Sequence, residues 1–209
     1  MFAVTRVDDH PPFNVYTVAE KSPISARNGL SVNPKCLLHD CPQPDILLVP
    51  GGWGTRKEMH NPVIVDWVKG QFAQLELLLS VCTGSLILGK AGLLDGLSAT
   101  THHGAFNTLR EAAPNSTVCE GVRYVDNGKI VTSGGISAGI DMAFHIVQRL
   151  LGEQTAIATA KYMEFDWSPQ KAVDQPLLTC IPHAPNIAVD EIGDNQRAIG
   201  RDHHIDRTN

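Results

Sequence analysis

Leu77–Leu88 reads LLLSVCTGSLIL. A strand-forming apolar run ends, a single cysteine follows, then Thr83-Gly84-Ser85, then a helix-forming apolar run. This is the layout of a nucleophile elbow, where a sharp strand-to-helix turn lifts one side chain above a sheet. Ser80 and Gly84 are small enough to leave room for such a turn. At a helix start the unpaired N–H groups and the macrodipole favour an anion, and the thiolate is the reactive form of cysteine. Nucleophilic attack by Cys82 is therefore the chemistry this stretch suggests. An inert core cysteine has the same local neighbours, because cysteine is among the most often buried residues.

Two more stretches complete the candidate site. Gly51-Gly52-Trp53-Gly54-Thr55 follows a buried-strand pattern, and consecutive glycines let backbone approach a ligand closely. An N–H from this loop, together with the Thr83 N–H, would form an oxyanion hole for an adduct on Cys82. The glycine spacing fits neither a P-loop nor a dinucleotide fingerprint. Thr100-Thr101-His102-His103 offers a histidine to orient or protonate something on Cys82. The local sequence does not choose between His102 and His103, and a histidine satisfied on the surface or in the core is the competing reading.

These residues need a scaffold. Asp45–Pro50 (DILLVP) and Leu75–Val81 (LELLLSV) are nearly continuous apolar runs, as expected of strands buried on both faces. Phe13–Lys21 is expected as a strand, with a short second one at Leu30–Asn33. Helices are expected at Val63–Ala73, Gly84–Ala91, Ala105–Ala112, Ser137–Leu151 and Glu153–Tyr162, and a short strand at Ala99–His102. Val122–Val125 and Lys129–Thr132 flank Asp126-Asn127-Gly128, a strong hairpin signal. Strands alternating with helices predict an α/β fold around a mostly parallel sheet. Asp141 is expected to complement the dipole at the start of its helix rather than act as a catalytic acid.

Composition agrees with that class. The chain has 209 residues, a formal charge of −5, 43% hydrophobic and 19% charged residues. These values exclude a disordered or collagen-like chain. No apolar run approaches the ~18 residues of a membrane span. The acidic balance argues against a nucleic-acid binder, which usually presents a basic face. The start, MFAVTRVDDHPP, has no signal-peptide pattern, so a cytoplasmic protein with reduced thiols is expected. The five cysteines (36, 41, 82, 119, 180) form no Cys-x-x-Cys, so a structural zinc site from them is not expected. Two parts are expected: a domain over 1–167, and a polar tail over 168–209 that lacks any period and reads as disordered or loosely docked.

Taken together, Val15–Lys21, Ala26–Leu30, Asp45–Gly52, Ser80–Gly96, Ala99–His103, Gly134–Phe144 and Glu164–Trp167 resemble the DJ-1/PfpI superfamily, in the isocyanide-hydratase-like subgroup. The resemblance implies a flavodoxin-like three-layer sandwich with Cys82 as nucleophile, His102 at the family's histidine position and Thr83 beside the cysteine. The backbone amides of Gly52 and Thr83 match those that face the adduct. It implies a small electrophilic substrate, hydration of an isocyanide to an N-substituted formamide, no cofactor, and a homodimer. A glyoxalase-like or stress-protective protein acting on small aldehydes and a non-catalytic sensor related to AraC-type regulators are the alternatives.

The resemblance also implies a departure. Family members begin with a βα unit whose acid reaches the cysteine, and Met1-Phe2-Ala3-Val4 matches only the end of that unit. The first strand is thus expected to be missing, and Asp8, Asp9 and Glu20 do not match the acid's position. A hydrogen bond to a charged group contributes about 1.5–3 kcal/mol, so its loss is expected to impair turnover. Strand edges flanking the gap are expected to lie unpaired.

Overall fold

The computed structural model describes residues 1–169 and the strand residues Cys180–Ile181. The central sheet contains β5 (Ile46–Val49), β6 (Leu77–Val81), β10 (Ile130–Ser133) and β9 (Tyr124–Asp126), in the order β5-β6-β10-β9. The first three strands run parallel, and β9 joins β10 antiparallel. That last pair is the hairpin expected around Asp126-Asn127-Gly128, with Gly128 at φ +86°. A second sheet places β8 (Thr117–Cys119) between β7 (Ser98–Ala99), parallel, and β11 (Cys180–Ile181), antiparallel. Asn127 ties the two sheets by donating to the Ser98 carbonyl at 2.8 Å.

β6 explains why the fold has three layers. Its residues alternate between two cores, and both are covered. Leu78 joins Leu86, Leu88 and Leu109 on the side of α2 (Pro62–Gln71), α3 (Ser85–Lys90) and α4 (Phe106–Ala112). Leu77 and Leu79 join Val131, Met142 and Ile146 on the side of α5 (Ala138–Leu151). α6 (Glu153–Tyr162) packs on α5, with Phe144, Val147, Ala156 and Trp167 buried between and beside them. At roughly 1.5–3 kcal/mol for each fully buried large apolar side chain, the three leucines of β6 anchor both cores at once. This is the α/β sandwich with a mostly parallel sheet that the sequence pattern predicts.

Several expectations are corrected. β5 is not buried on both faces: Leu47 and Val49 are buried, but Leu48 is 38% exposed. Beyond β6, β5 has no pairing partner among the described residues. The strand expected over Phe13–Lys21 contracts to β1 (Val18–Ala19), which pairs with β4 (Cys36–Leu37), not with β5. The short strand near Leu30 is found as β3 (Ser31–Val32), paired antiparallel with β2 (Ile24–Ser25). Cys119 is disulfide-bonded, so the expectation of reduced thiols fails for it. Its backbone lies opposite Cys180 in the β8–β11 register. Apart from that strand, the expected tail lies outside the described residues after 169. No described helix is long and apolar enough to cross a membrane.

Candidate active site

Cys82 stands at the end of β6, where a short 3-10 turn (Cys82–Gly84) leads into α3. Its φ is +57°, the left-handed region that a side-chain-bearing residue rarely occupies. Such a conformation costs about 1–2 kcal/mol per residue, so the surroundings must impose it. They do so through the backbone. The Cys82 N–H donates to the Gly134 carbonyl at 3.1 Å. The Cys82 carbonyl accepts from Thr101 Oγ1 at 2.9 Å and from Ser85 Oγ at 3.2 Å. Cys82 is half-buried, whereas Thr83 and Gly84 behind it are buried. The elbow expected from the sequence is therefore present, and the thiol is not sealed in the core.

Close backbone packing explains two glycines. A Cβ on Gly84 would fall 2.2 Å from the Val49 carbonyl oxygen. A Cβ on Gly51 would lie 2.7 Å from Cys82 Cβ and 2.8 Å from the Thr83 nitrogen. The glycine loop thus lies directly against the elbow.

Thr83 fastens that loop. Its Oγ1 accepts the Gly52 N–H at 2.9 Å and the Thr55 hydroxyl at 2.8 Å, and lies 3.0 Å from the Gly52 carbonyl. Thr55 Oγ1 also lies 2.7 Å from the Gly52 carbonyl. The Gly52 amide, expected to face an adduct, is here engaged by Thr83. The Thr83 N–H belongs to the first turn of a helix, where N–H groups lack partners inside the helix. Local sequence assigns roles to Thr83 and Gly52, whereas Thr55, Thr101 and Gly134 lie within the stretches it singles out without a role of their own. Those three act through contacts with residues distant in sequence, and no local pattern marks them.

His102 precedes a 3-10 turn (His103–Ala105), and its Nδ1 accepts the Gly104 N–H at 3.1 Å. A neutral imidazole with Nδ1 as acceptor carries its proton on Nε2. The ring lies over Gly135, where a Cβ would be 2.4 Å from His102 Cδ2. His103 is exposed, and its ring centroid lies 4.2 Å from that of His102. The hydrogen bonds of the described residues include none between His102 and the Cys82 sulfur, nor between a carboxylate and that sulfur. Of the carboxylates considered from the sequence, Glu20 accepts from Asn61 at 2.9 Å. Asp8 and Asp9 are exposed in a left-handed turn. Asp141 stands in the first turn of α5 and pairs with Arg123, so it serves as the helix-start charge expected of it.

A cavity of about 450 Å³ opens beside the elbow, lined by Thr101, His102, Phe106, Arg123, Gly134 and Ile136 among others. Cys82 does not line it, but Thr101 and Gly134, its backbone partners, do. Ile136 sits at its rim with φ +53° and 83% exposure. A β-branched residue in that conformation is strained. Among the described residues, no group of three or more His, Cys, Asp or Glu is placed to hold a metal.

Comparison with known proteins places this geometry. The DJ-1/PfpI family pattern matches residues 6–149. The isonitrile hydratase of Pseudomonas putida is 38% identical over 169 residues, covering 81% of this chain and 71% of that protein. The HTH-type transcriptional regulator CdhR of Pseudomonas aeruginosa is 31% identical, covering 68% of this chain but only 42% of the regulator. Among solved structures, a ThiJ/PfpI family protein from Pseudomonas syringae superposes with a TM-score of 0.69 at 30% identity, covering 75% of this chain and 64% of that one. With its elbow cysteine, its three layers and these matches, the chain belongs to the DJ-1/PfpI family.

Proposed function

We propose that this chain is a cysteine-nucleophile enzyme that hydrates isocyanides (isonitriles) to N-substituted formamides. The observation that carries the reading is Cys82, held at φ +57° at the end of a buried strand by backbone partners on both sides. Likeness to the Pseudomonas putida isonitrile hydratase supports the choice of substrate class.

The Cys82 thiolate attacks the terminal carbon of R–N≡C and forms the S–C bond. His102 gives its Nε2 proton to that carbon as negative charge develops there, leaving the neutral thioimidate R–N=CH–S–Cys82. Water adds to the same carbon, one of its protons passing to nitrogen, and as the C–S bond breaks to release the formamide the remaining hydroxyl proton returns to His102. The balance is R–N≡C plus H₂O giving R–NH–CHO, with the thiolate and His102 regenerated. The Thr83 N–H polarises the adduct, and the Thr83 and Thr55 hydroxyls keep the glycine loop against the elbow. The substituent R occupies the cavity beside His102.

The test is formamide release from a simple alkyl isocyanide by the purified chain, with methylglyoxal consumption run in parallel. Formamide release supports the reading. Methylglyoxal turnover without formamide would replace it with glyoxalase-like chemistry, and turnover of neither would reject both.

A further inference from the structure

Cys36 and Cys41 are cysteines to which the hydratase reading gives no role. Both are free and half-buried. Cys36 is the first residue of β4, and the chain then turns back through Leu37–Asp40. The Asp40 N–H donates to the Leu37 carbonyl at 3.3 Å, and the Leu37 N–H donates to Asp40 Oδ1 at 2.6 Å. The two cysteines are the residues immediately outside this turn. The turn's own ends, Leu37 and Asp40, lie within about 7 Å of each other, and the two cysteines continue the chain outward from those ends; a disulfide spans Cα separations of about 4.4–6.8 Å.

The turn is fixed from outside as well. The Cys36 N–H donates to the Thr17 carbonyl at 3.0 Å, and the Leu38 N–H donates to the Ala19 carbonyl at 3.1 Å. Trp67 Nε1 on α2 donates to the Leu38 carbonyl at 2.9 Å. On the far side, the Cys41 thiol and the Tyr16 hydroxyl both donate to the Pro42 carbonyl, each at 3.2 Å. The side chains sense one another. Burial pushes the Cys41 thiol up, and negative charge on Cys36 pushes it further.

We propose that Cys36 and Cys41 form a dithiol that closes to an intramolecular disulfide when the chain meets a small-molecule disulfide such as oxidised glutathione. One thiolate attacks a sulfur of the glutathione disulfide and releases one glutathione thiolate. The other cysteine thiolate then attacks the mixed disulfide and releases the second. The two protons lost by the cysteines end on two glutathione thiols, so two electrons pass from the protein to the oxidant. The pre-formed turn favours the second step over accumulation of the mixed disulfide. The closed bond ties β4 to the segment leading into β5.

The experiment uses the full chain incubated with oxidised glutathione, then alkylated and digested without reduction. Trypsin cleaves after Lys35 and Arg56, so Cys36–Arg56 is one peptide holding both thiols, while Cys82 falls in a different one. The expected result is that this peptide becomes lighter by two hydrogen atoms and its doubly alkylated form falls roughly tenfold or more. In Cys36→Ser, Cys41 is expected to stop at the glutathione adduct or stay alkylated, with no internal bond. A wild-type peptide that retains glutathione without closing, or that is still doubly alkylated, would overturn the proposal. Neither result bears on the Cys82 chemistry.

Discussion

Replacing Cys82 by glycine and by alanine separates an imposed elbow from an ordinary turn, because the two accounts predict opposite signs. In ordinary backbone, glycine is less stable than alanine by roughly 0.5–1 kcal/mol, since it loses more freedom on folding. At φ +57°, alanine keeps a left-handed strain of about 1–2 kcal/mol that glycine does not feel. Subtracting the chain-entropy term leaves Cys82→Gly more stable than Cys82→Ala by about 0.75 kcal/mol at mid-range, with about 0 and about 1.5 as the extremes. For a chain of this size that is about 1–4 °C in melting temperature. Both variants lack the sulfur, so its packing cancels from the comparison. Urea unfolding with matched m-values reads the difference directly. If Cys82→Ala proves as stable as Cys82→Gly, or more so, the backbone is not held left-handed there, and the reasoning about the elbow fails.

Other perturbations follow from the same contacts. Gly84→Ala would drive a Cβ to 2.2 Å from the Val49 carbonyl oxygen, and a cost of at least about 1–3 kcal/mol is expected in thermal unfolding. Thr83→Val leaves the Gly52 N–H without its partner and the Thr55 hydroxyl with the Gly52 carbonyl alone, so a loss of about 1–3 kcal/mol is expected in urea melts, with formamide release reduced. Asp126 is pushed up by burial, but hydrogen bonds from His145 and the Gly128 N–H, with the charges of Arg149 and His145, outweigh this and hold it below the ordinary value. The stability it contributes is therefore fully present above roughly pH 4 and is lost as pH falls through its lowered value. Asp126→Asn is expected to flatten the acid limb of a stability-against-pH curve, and an unchanged limb would contradict the assignment.

Much of the site could be read from local sequence because its elements are local. The β6 run, the cysteine and Gly84 are contiguous, so the strand-to-helix layout is written locally, although Gly134 and Thr101 hold Cys82 in it. The hairpin followed from Asp126-Asn127-Gly128, whose turn preference is intrinsic to those residues. What escaped depends on distant partners. Leu48 belongs to an apolar run, but which face a strand covers depends on what packs there. Phe13–Lys21 carries strand-forming residues, yet only Val18 and Ala19 find register partners, in β4. The Gly52 amide was expected to face an adduct, but Thr83 Oγ1, 31 residues away, engages it. Asp141 was recognised as a helix-start charge, while its partner Arg123 was not, because 18 residues separate them. The disulfide at Cys119 escaped a reading based on compartment alone.

The most direct test of the account compares formamide release by the intact chain and by Cys82→Ser under identical conditions. The serine keeps nearly the same shape but lacks the thiolate. The expected result is measurable release by the intact chain and a fall of roughly 10³-fold or more in the variant, with its thermal stability little changed. Equal release by both chains would show that the sulfur at the elbow is not the reacting atom.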